Sequence, residues 1–186
     1  MSIIEIKVTL EYIEPAVTRT LQVPTGIRLD RLHLTLQAAM GWQNAHLYQF
    51  CIGEPYQWGA ERWVAPDFVD NPEDLPADKW ALHQVTGKAG EAGLTYLYDF
   101  GDDWQHRIEL GKTCEDKPGQ LYPRLIDIAG TCPPEDIGGV LGYAEYLEAL
   151  ADPSDEQHSE LLEWRGQFDP EDFDAAKVTR EMKRRR

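Results

Sequence analysis

Residues 4–12, IEIKVTLEY, set Ile4, Ile6, Val8, Leu10 and Tyr12 in alternation with Glu5, Lys7, Thr9 and Glu11. A period of two with one apolar phase describes a strand that buries one face and wets the other. Glu14-Pro15 interrupts the pattern, after which Val17, Leu21 and Val23 alternate with Thr18, Thr20 and Gln22. Two such runs around a short break read as a β-hairpin. Past Pro24-Thr25-Gly26 the period changes. Leu29, Leu32, Leu36, Ala39 and Met40 make one apolar stripe at helical spacing, and Gly41 is placed to end that helix. His33 falls off the stripe and is expected at the surface.

Further along, HLYQFCI (46–52) reads as a third strand with His46, Tyr48, Phe50 and Ile52 on one face. LTYLYDF (94–100) and WQHRIEL (104–110) read as two more, joined by a loop at FGDD. Then the chain turns helical. GYAEYLEAL (142–150) carries Tyr143, Tyr146, Leu147 and Leu150 at helical spacing. Asp152-Pro153 is a helix-start signal for a run to about Trp164, and Asp169-Pro170 repeats it for a short last helix containing Phe173. Strands first and helices last predict an α+β domain: an N-terminal hairpin and helix, a mainly antiparallel sheet, and a helical C-terminal third. Without repeats or a sharp shift of composition, residues 1–176 read as a single domain, followed by a basic C-terminal tail at 177–186.

Charge bounds the partners. The chain has 186 residues, 42% of them hydrophobic, and a formal net charge of −15. That length suffices for one well-buried core. The last ten residues, KVTREMKRRR, hold six Lys/Arg and one Glu, which leaves 12 basic and 32 acidic side chains in the first 176. So acidic a body repels nucleic acid and anionic membrane, leaving the tail as the one segment suited to phosphate. A tail resting on its own acidic surface is the plainer reading. Three widely spaced cysteines, Cys51, Cys114 and Cys132, form neither a disulfide framework nor a zinc knuckle. MSIIEIKVTLEY does not read as a signal peptide, and no run approaches the apolar length of a membrane span. A cytoplasmic protein is expected.

Chemistry concentrates in YDFGDDWQH (98–106). Asp99, Asp102, Asp103 and His106, supported by Glu135 and Asp136 of TCPPEDIGG, offer enough oxygen and imidazole ligands for a divalent metal or an acid–base site. The competing account is structural: Gly and Asp are turn formers, and strand alternation puts His106 on the apolar face with Trp104 and Ile108, as a core histidine bonded to an aspartate. Cys132 lies beside Glu135 and Asp136, which disfavours a thiolate. Neither a dinucleotide-binding glycine motif nor a P-loop is present. Residues 53–80 intersperse Pro55, Pro66, Pro72 and Pro76 with Tyr56, Trp58, Trp63, Phe68 and Trp80. Such a segment is expected to fold back on the body. Trp58, Trp63 and Tyr122 are the candidates for an exposed binding patch.

Taken in order, VPTGIRLDRLHLTLQAAMGWQNAHLYQF, YDFGDDWQHRIEL, TCPPEDIGGVLGYAEYLEALADP and FDPEDFD resemble the Ri-plasmid open-reading-frame-three-like family (plasmid pRi ORF-3-like proteins) over nearly the whole chain. These are bacterial and archaeal proteins, often of plasmids and mobile elements. The resemblance implies a compact α+β fold and, with no activity established for the family, transfers no functional residue. A resolvase-type label borne by some relatives finds no support: Ser2, Ser154 and Ser159 sit in acidic surroundings without the arginines of a serine recombinase.

The expectation is a non-enzymatic binding or interaction module, associated with a mobile element, that holds a protein or small-molecule ligand without a cofactor. The alternative is a metal-dependent hydrolase or nuclease-like enzyme built on Asp99, Asp102, Asp103 and His106. A third reading is a nucleic-acid accessory protein acting through residues 177–186.

Overall fold

The N-terminal alternation ends up in the interior of a sheet. A computed structural model describes residues 1–90 and 93–184. In it the strands are β1 (Ser2–Leu10), β2 (Val17–Pro24), β3 (Tyr48–Ile52), β4 (Arg62–Val64), β5 (Asp74–Pro76), β6 (Leu94–Tyr98), β7 (Trp104–Glu115) and β8 (Arg124–Ala129). They form one sheet in the order β5-β4-β3-β6-β7-β1-β2-β8, antiparallel except between β4 and β5. This is the expected α+β architecture with a mainly antiparallel sheet.

Register carries the core across the strands. Val8 lies opposite Ile108 of β7 and Arg19 of β2, and Leu10 opposite His106 and Val17. Tyr96 is then opposite His106 on one side and Phe50 on the other. Ile6, Val8, Leu21, Phe50, Tyr96 and Tyr98 are all fully buried. Strand β1 stops at Leu10, earlier than the alternation suggests, because Tyr12 takes a left-handed φ of 68° and turns out to solvent.

Helix α1 (Leu29–Met40) lays its predicted stripe on this face, and Gly41, at φ 90°, ends it by donating its N–H to the Gln37 carbonyl at 3.0 Å. His33 is a correction: it is buried, stacked on Tyr48 with ring centroids 3.6 Å apart, and hydrogen-bonded to the Tyr96 hydroxyl. Polar partners inside the core drew it there. Segment 53–80 does fold back. Trp63 is wholly buried and meets Trp80 edge-on at 5.9 Å, just before α2 (Leu82–Ala89).

The C-terminal third departs from its start signals. Helix α3 (Gly139–Ala151) carries the buried Tyr143 and Tyr146 as expected. Asp152, however, bonds the backbone N–H and hydroxyl of Ser154, so its Asp-Pro pair makes a turn, and α4 (His158–Arg165) begins later. At Asp169-Pro170 the same thing happens: Asp169 receives the Glu171 N–H, and it is Asp174 that caps α5 (Ala175–Arg184) through the Lys177 N–H. An aspartate bonding its own backbone two residues on closes a turn as readily as it opens a helix. Through Arg184, the basic segment expected as a tail is therefore part of α5, with Met182 buried and Val178 half-buried as α5 packs along α1 and β8. Among the described residues no helix is long and apolar enough to cross a membrane.

Candidate functional site

The aspartates of YDFGDDWQH take separate posts. Asp99 and Asp103 both adopt left-handed φ of 57°, and the Asp103 N–H closes the loop on the Asp99 carbonyl at 2.7 Å. Asp99 Oδ1 accepts the Gly101 N–H at 2.9 Å. Asp102 reaches out of the hairpin to accept the Gly138 N–H at 3.2 Å. Asp103 accepts the Tyr56 hydroxyl at 2.6 Å and the Gln105 amide at 2.8 Å. Each carboxylate thus satisfies donors that shape the loop or dock a neighbouring one.

His106 is not among them. It is fully buried, with Nδ1 donating to the Tyr96 carbonyl at 3.1 Å and Nε2 meeting no partner among the described residues. Trp42 stands edge-on to its ring at 5.3 Å and Tyr96 lies 5.1 Å away. Burial pushes its pKa down to about 4, so it is neutral near pH 7. The expected bond to an aspartate is replaced by one to backbone, since strand alternation turned the ring away from the loop.

The histidine that joins the carboxylates is His46, expected on β3 but lying in the turn before it. His46 Nε2 is 2.9 Å from Asp136 and 3.4 Å from Asp99, and one ligand atom from each of the three lies within 4.8 Å of the others. Glu135 does not join. It is buried and accepts the Tyr98 hydroxyl at 2.7 Å and the Gln43 N–H at 3.0 Å. Three loops therefore meet at this end of the sheet: 41–47, the β6–β7 hairpin, and the 132–138 segment. Sequence reading missed His46 because the partners lie 53 and 90 positions away along the chain.

The aromatic candidates do not form one patch. Trp63 is core, a correction explained by its place on β4 under the sheet's covering elements. Trp58 is 98% exposed and takes no part in the lining of the neighbouring cleft of about 290 Å³, which is formed by Tyr56, Gln57, Ala60, Phe68 and Phe100 among others. Tyr122 is half-buried before β8, and so belongs to the opposite edge of the sheet.

A second concavity is larger. Between the end of α1, β8 and α5 lies a cavity of about 430 Å³ with Met40, Trp42, Ile128, Phe173 and Val178 in its wall and Arg19 lining it. Arg19 is 2% exposed. Its Nε donates to the Ala39 carbonyl at 2.7 Å, and Nη1 donates to the Thr18 and Ala129 carbonyls, both at 2.8 Å. No carboxylate among the described residues pairs with it, and desolvation lowers its pKa. The signal was present in the sequence: between Val17 and Leu21, Arg19 occupies the apolar phase of β2. Cys132, in the same wall, is a buried thiol pushed up to about 12.

The fold defines an α+β protein built on one mostly antiparallel sheet. It is shared with the crystal structure of a protein of unknown function, MM3350, from Methanosarcina mazei Go1 (TM-score 0.83, 32% identity, 95% of this chain and 97% of that one). The plasmid pRiA4b ORF-3-like family model matches residues 2–177, and the chain belongs to that family. The uncharacterized protein y4hQ of Sinorhizobium fredii (strain NBRC 101917 / NGR234) is 45% identical over 169 residues, 90% of this chain and 83% of that protein.

Proposed function

We propose that this protein is a non-enzymatic binding module that holds a small, largely apolar ligand in the cavity between α1, β8 and α5. The observation that carries this reading is the cavity itself: about 430 Å³, with Met40, Trp42, Ile128, Phe173 and Val178 in its wall, charged side chains of α5 and the segment before it also lining it, and a buried cation at its edge. That size and lining are those of small-molecule sites. The engagement of Asp99, Asp102 and Asp103 with loop donors supports binding over catalysis at the hairpin. Saturation-transfer NMR with a set of small aromatic fragments tests it. Fragments that bind the native protein and are lost on Val178→Trp, which fills the cavity from α5, are expected. Fragments that bind both proteins alike would end the reading.

A second reading is favoured by the convergence of His46, Asp99 and Asp136. One imidazole and two carboxylates suit a divalent cation, which would displace the Nε2 proton of His46 and give the metal-dependent alternative its site here. Metal analysis of the purified protein by mass spectrometry decides it. Stoichiometric metal kept in His106→Ala and lost in His46→Ala is the expected pattern; a metal-free native protein refutes it. The nucleic-acid accessory reading has less support, because Arg180 and Arg184 of α5 pair with Asp174 and Glu181.

A further inference from the structure

We infer that the ligand of the α1–β8–α5 cavity is a small apolar monocarboxylate whose carboxylate sits on Nη2 of Arg19. The inference rests on the cavity being the ligand site and adds the chemistry of the head group. A guanidinium offers five N–H donors. Three are used by Nε and Nη1 on the carbonyls of Ala39, Thr18 and Ala129. Nη2 donates to no described protein atom, yet it is not among the sealed, unpartnered buried polar atoms. Arg19 is 98% buried and lines the cavity, which is the ground for assigning the remaining Nη2 donors to a ligand there.

A buried cation with only neutral acceptors lacks a counter-charge, and the low dielectric around it strengthens its attraction for an anion, which offsets the cost of taking that anion out of water. With Nε and Nη1 engaged, Nη2 alone is left to give a carboxylate a charge-assisted hydrogen bond. The rest of the wall sets the size and charge of the ligand. Met40, Trp42, Ile128, Phe173 and Val178 fit an apolar body, and Cys132, held as a neutral thiol, does not repel the head group. Asp172, Asp174 and Glu181 also line the cavity with Lys177 as the one added cation. Asp174 is occupied by the Lys177 N–H and faces Arg180 at 3.7 Å, while Asp172 and Asp174 are exposed and Glu181 is half-buried. This acidic rim repels a dianion about twice as strongly as a monoanion, so phosphate is expected to stay out while a monocarboxylate can still reach Arg19.

Isothermal titration calorimetry on the full chain at low salt, with phenylacetate, its neutral isostere phenylacetamide and inorganic phosphate, tests the inference. Phenylacetate is expected to bind at least tenfold more tightly than phenylacetamide, with no saturable heat from phosphate. Arg19→Met should abolish the preference, leaving both probes equally weak, and the comparison in the native protein stands if that variant fails to fold. Equal binding of the two probes to the native protein would overturn the role of Arg19 while leaving the cavity as a site. Binding of neither would overturn both. Phosphate binding as tight as that of phenylacetate would make Arg19 a general anion contact and also overturn the inference.

Discussion

Arg19 and Ala39 are 20 positions apart in the chain and joined by a 2.7 Å hydrogen bond from the guanidinium Nε to the carbonyl in the last turn of α1. The same side chain holds the Ala129 carbonyl at the end of β8. One arginine thus fastens strand, helix and edge strand, with its charge against the negative end of the α1 dipole.

Replacing Arg19 with Met takes its donors from the carbonyls of Ala39, Thr18 and Ala129 but removes a desolvated charge. The lost bonds outweigh the relief, and a net loss of about 2 kcal/mol is expected. Urea unfolding should show a lower midpoint at unchanged slope. A midpoint equal to the native value would mean that the guanidinium contributes nothing to the fold.

Gly139 holds the 132–138 segment against the hairpin. It has φ +70°, and a Cβ placed there would lie 2.4 Å from the Asp102 carbonyl oxygen. Both the conformation and the contact oppose any side chain. Gly139→Ala is expected to lose about 3 kcal/mol or more and to detach the loop, read as faster amide exchange at Gly138. A native-like melting temperature would contradict this.

His106 links stability to pH. Its native pKa of about 4 lies below the ordinary 6.5, so between these values the unfolded chain binds the proton and the native protein does not. Stability from this group is therefore complete above pH 6.5 and is lost as pH falls toward 4. At pH 5 the loss amounts to about 2 kcal/mol. His106→Phe, which fills the site without a titrating group, should not show that part of the decline. Parallel urea melts of the two proteins at pH 7.5 and pH 5 measure the difference.

Met182 separates a packed helix from a loose tail. Its side chain is 4% exposed on α5. Met182→Ala should destabilise by about 2 kcal/mol through the cavity it leaves, whereas a tail residue would be neutral. Thermal unfolding of the variant reads the result directly.

Periodicity is local, and what it could specify it did specify. Alternation in residues 4–10 and 17–23 and the stripe from Leu29 to Met40 each follow from neighbours a few positions apart, so the hairpin, α1, β6, β7 and the α+β class were legible. The turn at FGDD was legible for the same reason. The helix starts at Asp152 and Asp169 were misplaced because an aspartate followed by proline can close a turn or open a helix, and its local bonds decided for the turn.

Tertiary structure alone decided which polar groups meet. His106 and His46 look alike in the sequence, yet strand pairing sends one into the aromatic core and loop docking sets the other between Asp99 and Asp136. Arg19 announced itself only as a charged residue in an apolar phase. What it holds, and the cavity it lines, depend on α1, β8 and α5 arriving from 20 to more than 150 positions away. Side-chain pattern fixes which face a residue takes, whereas the partner it finds there depends on long-range contacts that no local period encodes.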